Sequence, residues 1–138
     1  MKPAERSYPD PDINLETERY WAAAKEGTLL LKRCRACGRA HFYPRAICPH
    51  CLSADTEWTT ASGRGTVYTY SVMRRAEVPY AIAYVTLAEG VTMMSNIVEC
   101  DFDRIAVGME VEVCFRATEG GHALPVFRPR GGSGKAPA

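Results

Sequence analysis

No stretch of the sequence approaches the roughly 20 consecutive apolar residues that a bilayer-spanning helix needs. The start, Met1-Lys2-Pro3-Ala4-Glu5-Arg6, has no apolar segment behind it to make a secretion signal, which predicts a cytosolic chain with reduced thiols. Acidic residues are missing between Glu26 and Asp55, although Lys32, Arg33, Arg35, Arg39 and Arg45 all fall there. From Glu57 to Arg130 the balance reverses, with seven Arg against nine Asp plus Glu, so the net charge of +1 hides a basic segment beside a mildly acidic one. Such a segment is either a phosphate site or a solvated surface. Histidine is scarce, with only His41, His50 and His122. There is no His-Glu-x-x-His, no Gly-x-Ser-x-Gly elbow and no GxGxxG. Gly132-Ser133-Gly134-Lys135 is no phosphate loop, because Ala136 stands where Ser or Thr is required. A self-sufficient active site is therefore not visible.

What is present is cysteine in a telling arrangement. Cys34-Arg35-Ala36-Cys37 and Cys48-Pro49-His50-Cys51 are two CxxC pairs ten residues apart. Four thiolates at this spacing make a closed tetrahedral zinc site, with Cys34, Cys37, Cys48 and Cys51 as ligands. Gly38 follows the first pair, where a knuckle turn favours a residue tolerant of positive φ, and Pro49 stiffens the second. Four protein ligands leave no position for water or substrate, so the metal's role is to fold a segment short of apolar surface. His41 and His50 lie beside the ligands, but four sulfurs suffice without them. Cys100 and Cys114 sit singly in strand-like stretches and are expected to be ordinary buried thiols. His122, between glycines, is expected to be a loop residue rather than a general base.

Along the chain, residues 1–28 read as a proline-rich extended arm followed by a helix over Leu15–Lys25, with Asn14 as N-cap and Gly27 just beyond the end. A strand at Leu29–Lys32 leads into the zinc segment, residues 29–55. Residues 56–130 hold five strand candidates rich in Val, Tyr, Thr and Ile: Thr66–Met73, Ala81–Leu87, Val91–Val98, Val111–Phe115 and Leu124–Phe127. Glu89-Gly90 marks a tight hairpin. Val111, Val113 and Phe115 alternate with Glu110, Glu112 and Cys114, the pattern of a sheet with one buried face. The expected fold is mainly β with an N-terminal helix: a rubredoxin-like zinc ribbon followed by a five-stranded OB-fold barrel. Residues 131–138 read as a disordered tail.

Several stretches together carry a resemblance: Trp21 with Glu26-Gly27-Thr28-Leu29, Cys34-x2-Cys37-Gly38, Phe42-Tyr43-Pro44-Arg45 and Cys48-Pro49-x-Cys51. Gly63-x-Gly65-Thr66-Val67-Tyr68, Pro79-Tyr80, Glu89-Gly90 and Gly108-Met109-x-Val111 continue it. The chain resembles the zinc-ribbon/OB-fold, acyl-CoA-associated family called domain of unknown function 35. That resemblance implies a non-catalytic accessory subunit docked on a thiolase-superfamily enzyme (a thiolase or aldolase) or on a hydratase, sharing coenzyme A thioester with it in a hetero-oligomer. It makes Lys32, Arg33, Arg39 and Arg45 candidates for the CoA phosphates, since an Arg fork pairs two phosphate oxygens. Phe42 and Tyr43 become candidates to stack on adenine or enter the partner, against the alternative that they pack between ribbon and barrel. The runner-up is a single-stranded nucleic-acid module, disfavoured by the acidic barrel half. A CoA-thioester enzyme using Cys100, Cys114 or His122 is the third reading.

Overall fold

The computed structural model describes residues 7–131. Residues 7–14 form an extended arm, as their prolines and aspartates predict, and the arm is anchored. The Asp10 carboxylate accepts from the Thr118 hydroxyl at 2.6 Å and the Gly120 N–H at 2.8 Å, while the Glu119 N–H donates to the Tyr8 carbonyl at 3.1 Å. A Cβ on Gly120 would collide with that carboxylate, so a larger residue there would displace the anchoring Asp10 side chain.

The helix α1 runs over Glu18–Lys25, three residues shorter at its start than the sequence predicts. Asn14 explains the difference. Its side-chain oxygen accepts the N–H groups of Glu16 and Thr17, and its own N–H donates to the Thr17 hydroxyl. This reciprocal cap holds residues 15–17 in a turn ahead of the helix proper. At the other end Gly27 adopts φ +86 and the Thr28 N–H reaches back to the Ala23 carbonyl, a Schellman-type stop. Tyr20, Trp21 and Ala24 make the buried face.

A three-stranded antiparallel sheet follows, in the order β2–β1–β3: β1 is Leu30–Cys34, β2 Ala40–His41 and β3 Thr56–Thr60. Strand β3 was not foreseen. It pairs with β1 from Leu30↔Thr60 to Cys34↔Thr56 and brings the chain back along the ribbon. The remaining strands close a barrel: β4 Arg64–Met73, β5 Tyr80–Leu87, β6 Thr92–Ile97, β7 Glu110–Ala117 and β8 Ala123–Pro129. Their neighbour order, β4–β5–β6–β8–β7 and back to β4, is a closed five-stranded barrel with a parallel contact between β6 and β8 at Ile97↔Phe127. This is the OB topology. Val67, Val85, Met93, Ile97, Val111 and Phe127 fill it, and the same apolar cluster continues into Tyr20, Trp21, Leu29 and Leu31. Ribbon, helix and barrel therefore share one core.

The alternation expected in β7 holds at Val111, which is wholly buried. Cys114, placed on the outer face, is nonetheless buried. It joins Val98 and Val126 in a second small cluster near the Arg116 guanidinium. Among the described residues no helix is long and apolar enough to cross a membrane. The expected tail lies almost wholly outside the described residues.

Candidate metal centre and ribbon groove

Each CxxC pair forms the same turn. The Gly38 N–H donates to the Cys34 carbonyl at 2.9 Å, and the Leu52 N–H donates to the Cys48 carbonyl at 2.9 Å. Gly38 has φ +78 and Leu52 φ +67, so both turns need a left-handed residue after the second cysteine. Backbone N–H groups also point at sulfur: Cys37 N–H at Cys34 Sγ, 3.4 Å, and His50 N–H at Cys48 Sγ, 3.3 Å.

The turns bring the four Sγ atoms of Cys34, Cys37, Cys48 and Cys51 within 4.8 Å of one another. Two of the separations are 3.5 Å (Cys34–Cys51) and 3.8 Å (Cys37–Cys48). A tetrahedron with Zn–S bonds of about 2.3 Å has edges of about 3.8 Å, so this donor set fits a zinc ion. Cys34 and Cys48 are buried and Cys37 and Cys51 exposed. The Cys37 N–H leads the effects that draw the Cys34 thiol down to about 7. Although the Ser53 N–H favours its thiolate, hydrogen bonding to Cys34 and burial push Cys51 up to about 12. Metal binding takes thiolates, so the backbone N–H groups aimed at sulfur favour the form that a cation needs.

Neither histidine joins the sulfur cluster. His50 is exposed on the second turn. His41 is buried in β2, its Nε2 accepting the Arg45 N–H at 3.3 Å, and burial holds its imidazole below the usual range. With Nε2 as acceptor, the proton sits on Nδ1, which is buried and has no hydrogen-bond partner among the described residues.

Beside the metal centre a groove of about 590 Å³ opens between ribbon and barrel. One wall is Arg39, Phe42, Pro49 and His50; the other is the β5–β6 hairpin from Glu89 to Thr92. The basic segment does not gather there as a whole. Arg35 is held by Asp55 at 3.1 Å and Glu57 at 3.3 Å. The Lys32 ammonium lies 4.6 Å from the Trp58 ring centre and donates to the Thr56 hydroxyl, and burial lowers its pKa. Arg33 donates to the Gly38 carbonyl. Among the described residues the guanidinium groups of Arg39 and Arg45 have no partner, and of these two Arg39 lines the groove.

Phe42 and Tyr43 belong to an aromatic cluster with Tyr20 and Trp21, with ring centres 4.9–6.4 Å apart. The Trp21 indole N–H donates to the Tyr43 hydroxyl at 2.6 Å, which ties the ribbon loop to α1. Phe42 still lines the groove, whereas Tyr43 does not. Sequence reasoning missed the groove's second wall, because nothing local connects Glu89–Thr92 to residues about fifty positions earlier. Cys100, Cys114 and His122 are not assembled into a site. Burial raises both thiols, and the backbone N–H of His122 donates to the Thr118 hydroxyl within its own loop.

Two family models match end to end: the rubredoxin-like zinc ribbon domain of ChsH2 over residues 21–57 and the C-terminal OB-fold domain of ChsH2 over residues 58–116. A DUF35 domain-containing scaffold protein of Methanocaldococcus jannaschii is 40% identical over 106 residues, 71% of this chain and 75% of that one. The chain belongs to the DUF35 family. A second DUF35 match is structural: a solved structure described as an Ltp2–ChsH2(DUF35) aldolase superposes with a TM-score of 0.77 at 37% identity. The match covers 87% of this chain and 98% of that one. A probable enoyl-CoA hydratase alpha subunit of Thermomonospora curvata is 37% identical over 126 residues, 88% of this chain. The chain spans only 40% of that subunit's length. The DUF35 relatives thus include scaffold proteins and subunits of hydratase and aldolase complexes.

Proposed function

We propose that this chain is a non-catalytic scaffold subunit that docks on a thiolase-superfamily catalytic subunit in the cytosol and helps hold its acyl-CoA. The observation that carries this reading is the superposition on nearly the whole DUF35 chain of an aldolase structure. The chemistry of the ribbon agrees with it. A four-thiolate shell offers no open coordination position, so its zinc holds the fold rather than activating water.

The groove is where CoA belongs in this reading. Arg39, without a partner among the described residues, stands on its wall and is suited to a phosphate, and Phe42 offers a partly exposed ring to adenine. Arg45 stands nearby in sequence with its guanidinium unengaged. Lys32, Arg33 and Tyr43 keep supporting roles, since each already has a protein partner.

The test is to recover the tagged full-length chain from the organism that encodes it and identify what accompanies it. A thiolase-superfamily subunit in fixed stoichiometry is the expected result. Recovery of nucleic acid, or of no protein at all, defeats the scaffold reading.

A further inference from the structure

The barrel has two walls of opposite character. Along the β7–β8 wall, carboxylates and guanidinium groups pair: Glu112 with Arg128 across the two strands at 3.0 Å, Glu110 with Arg130 just past β8 at 3.8 Å, and Arg116 with Glu99 of the connection after β6 at 2.6 Å. That is how a water-facing sheet looks. The β4–β5–β6 wall has nothing of the kind. No carboxylate or cation occurs in β5 or β6, nor in β4 after Arg64.

This uncharged wall is exposed, its hydroxyl-bearing Thr66, Thr69 and Ser71 interleaved with large Tyr and Met side chains. Tyr84 on β5 stands directly opposite Met94 on β6, and they are 46% and 60% exposed. Tyr68 is 66% exposed and sits in the β4 bulge between Val67 and Thr69, where it has no partner on β5. A bulge re-aims a side chain out of the regular pleat. Loss of charge together with exposed Tyr and Met is the composition of a protein interface core. Single-stranded nucleic acid, the other common user of an OB surface, needs cations among the aromatics to hold its phosphates, and among the described residues β5, β6 and β4 after Arg64 supply none.

Size distinguishes a second copy from a larger partner. Eight residues at about 3.3 Å each, across three strands about 4.8 Å wide each, give a footprint of about 380 Å². A stable interface takes roughly 800 Å² from each side, so two copies meeting through this wall alone fall short. A partner that also covers the ribbon groove makes up the difference, and the two surfaces are continuous. Thr92 lines the groove, and its hydroxyl, 3.0 Å from that of Thr86, closes the near end of the bare wall.

We propose that the β4–β5–β6 wall, centred on Tyr68, Tyr84 and Met94, is the surface on which the CoA-processing catalytic subunit docks, with the same subunit covering the groove. This assignment rests on the scaffold reading above and adds the face used.

The test places the photo-crosslinker p-benzoylphenylalanine at position 84, 68 or 117 of the full-length chain, in the organism that encodes it. Crosslinked peptides are then sequenced. Positions 84 and 68 should give adducts with a thiolase-superfamily chain, and position 117, at the end of β7 that does not pair with β4, none. An adduct with a second copy of this chain, or with its own residues 1–6 or 132–138, overturns the assignment. So does an enzyme adduct from position 117, or the absence of one from 84 and 68 while the enzyme still copurifies; both leave the scaffold reading intact. No enzyme adduct and no copurifying enzyme defeats both. Met94→Glu buries an uncompensated carboxylate and should weaken the purified complex about tenfold or more. Zinc content and melting temperature should hold, and an unchanged Kd overturns the assignment.

Discussion

Gly38 and Leu52 occupy the same place in two copies of one turn, and only the glycine is suited to it. An L side chain in the left-handed region costs about 1–2 kcal/mol. Gly38→Ala is therefore expected to destabilise the zinc-loaded protein by about that amount, read from chemical denaturation. Leu52→Gly should act in the opposite sense, offset in part by added freedom of the unfolded chain, for a gain of up to about 1 kcal/mol. Leu52 is exposed, so that exchange removes no core packing. Asp10 supplies a pH-dependent contact. The Thr118 hydroxyl, then the Gly120 N–H, hold its carboxyl below the ordinary value. Its contribution is present above the unfolded pKa and lost as pH falls through the lower folded one. The Gly120 amide should accordingly lose hydrogen-exchange protection well into the acid range, and in Asp10→Ala at neutral pH as well. Retained protection in Asp10→Ala would show that the loop is held by other means.

At the scale of elements, the ribbon depends on its metal and the barrel on its core. Structural zinc supplies about 10–16 kcal/mol of apparent binding energy, far beyond what β1, β2 and β3 can gain by pairing. Chelation, or Cys48→Ser, is expected to release the amides of β1 and β3 to exchange before those of β4 and β5, which mass spectrometry of exchanged peptides will resolve. Simultaneous release of both sets would contradict this. The ribbon's chemistry was legible because a CxxC pair is a local pattern, and the five barrel strands were legible from their β-branched and aromatic runs. Strand β3 was not. Thr56 to Trp58 and Thr59 are all half-buried, so Thr56–Thr60 shows no alternation from which to read a face. The shortened helix was hidden for a related reason. Asn14 and Thr17 cap each other, and the sequence reading let Asn14 cap the helix directly.

For the whole molecule, what the sequence conceals is what long-range packing assembles. The basic segment was open to two readings, a phosphate site or a solvated surface, and packing divides it: Asp55 and Glu57 claim Arg35, and Trp58 with Thr56 claims Lys32. Arg39 is left facing the groove. In the complex, Arg39→Ala should weaken CoA binding about tenfold, about 1.4 kcal/mol, and dephospho-CoA should lose part of that difference if the 3′-phosphate is the group held. Lys32→Ala should alter stability more than affinity. Equal effects of the two substitutions on CoA would place the phosphate outside the groove.

The arm also bears on how the molecule can move. The ribbon joins the barrel through residues 61–63, and the chain ahead of it is fastened to the β7–β8 loop by Asp10 and Tyr8. A body attached at one point can swing like a door. Attached at two, it can only slide by small amounts. The space between ribbon and barrel thus has a set width, and whatever enters it meets walls that do not have to be brought together first.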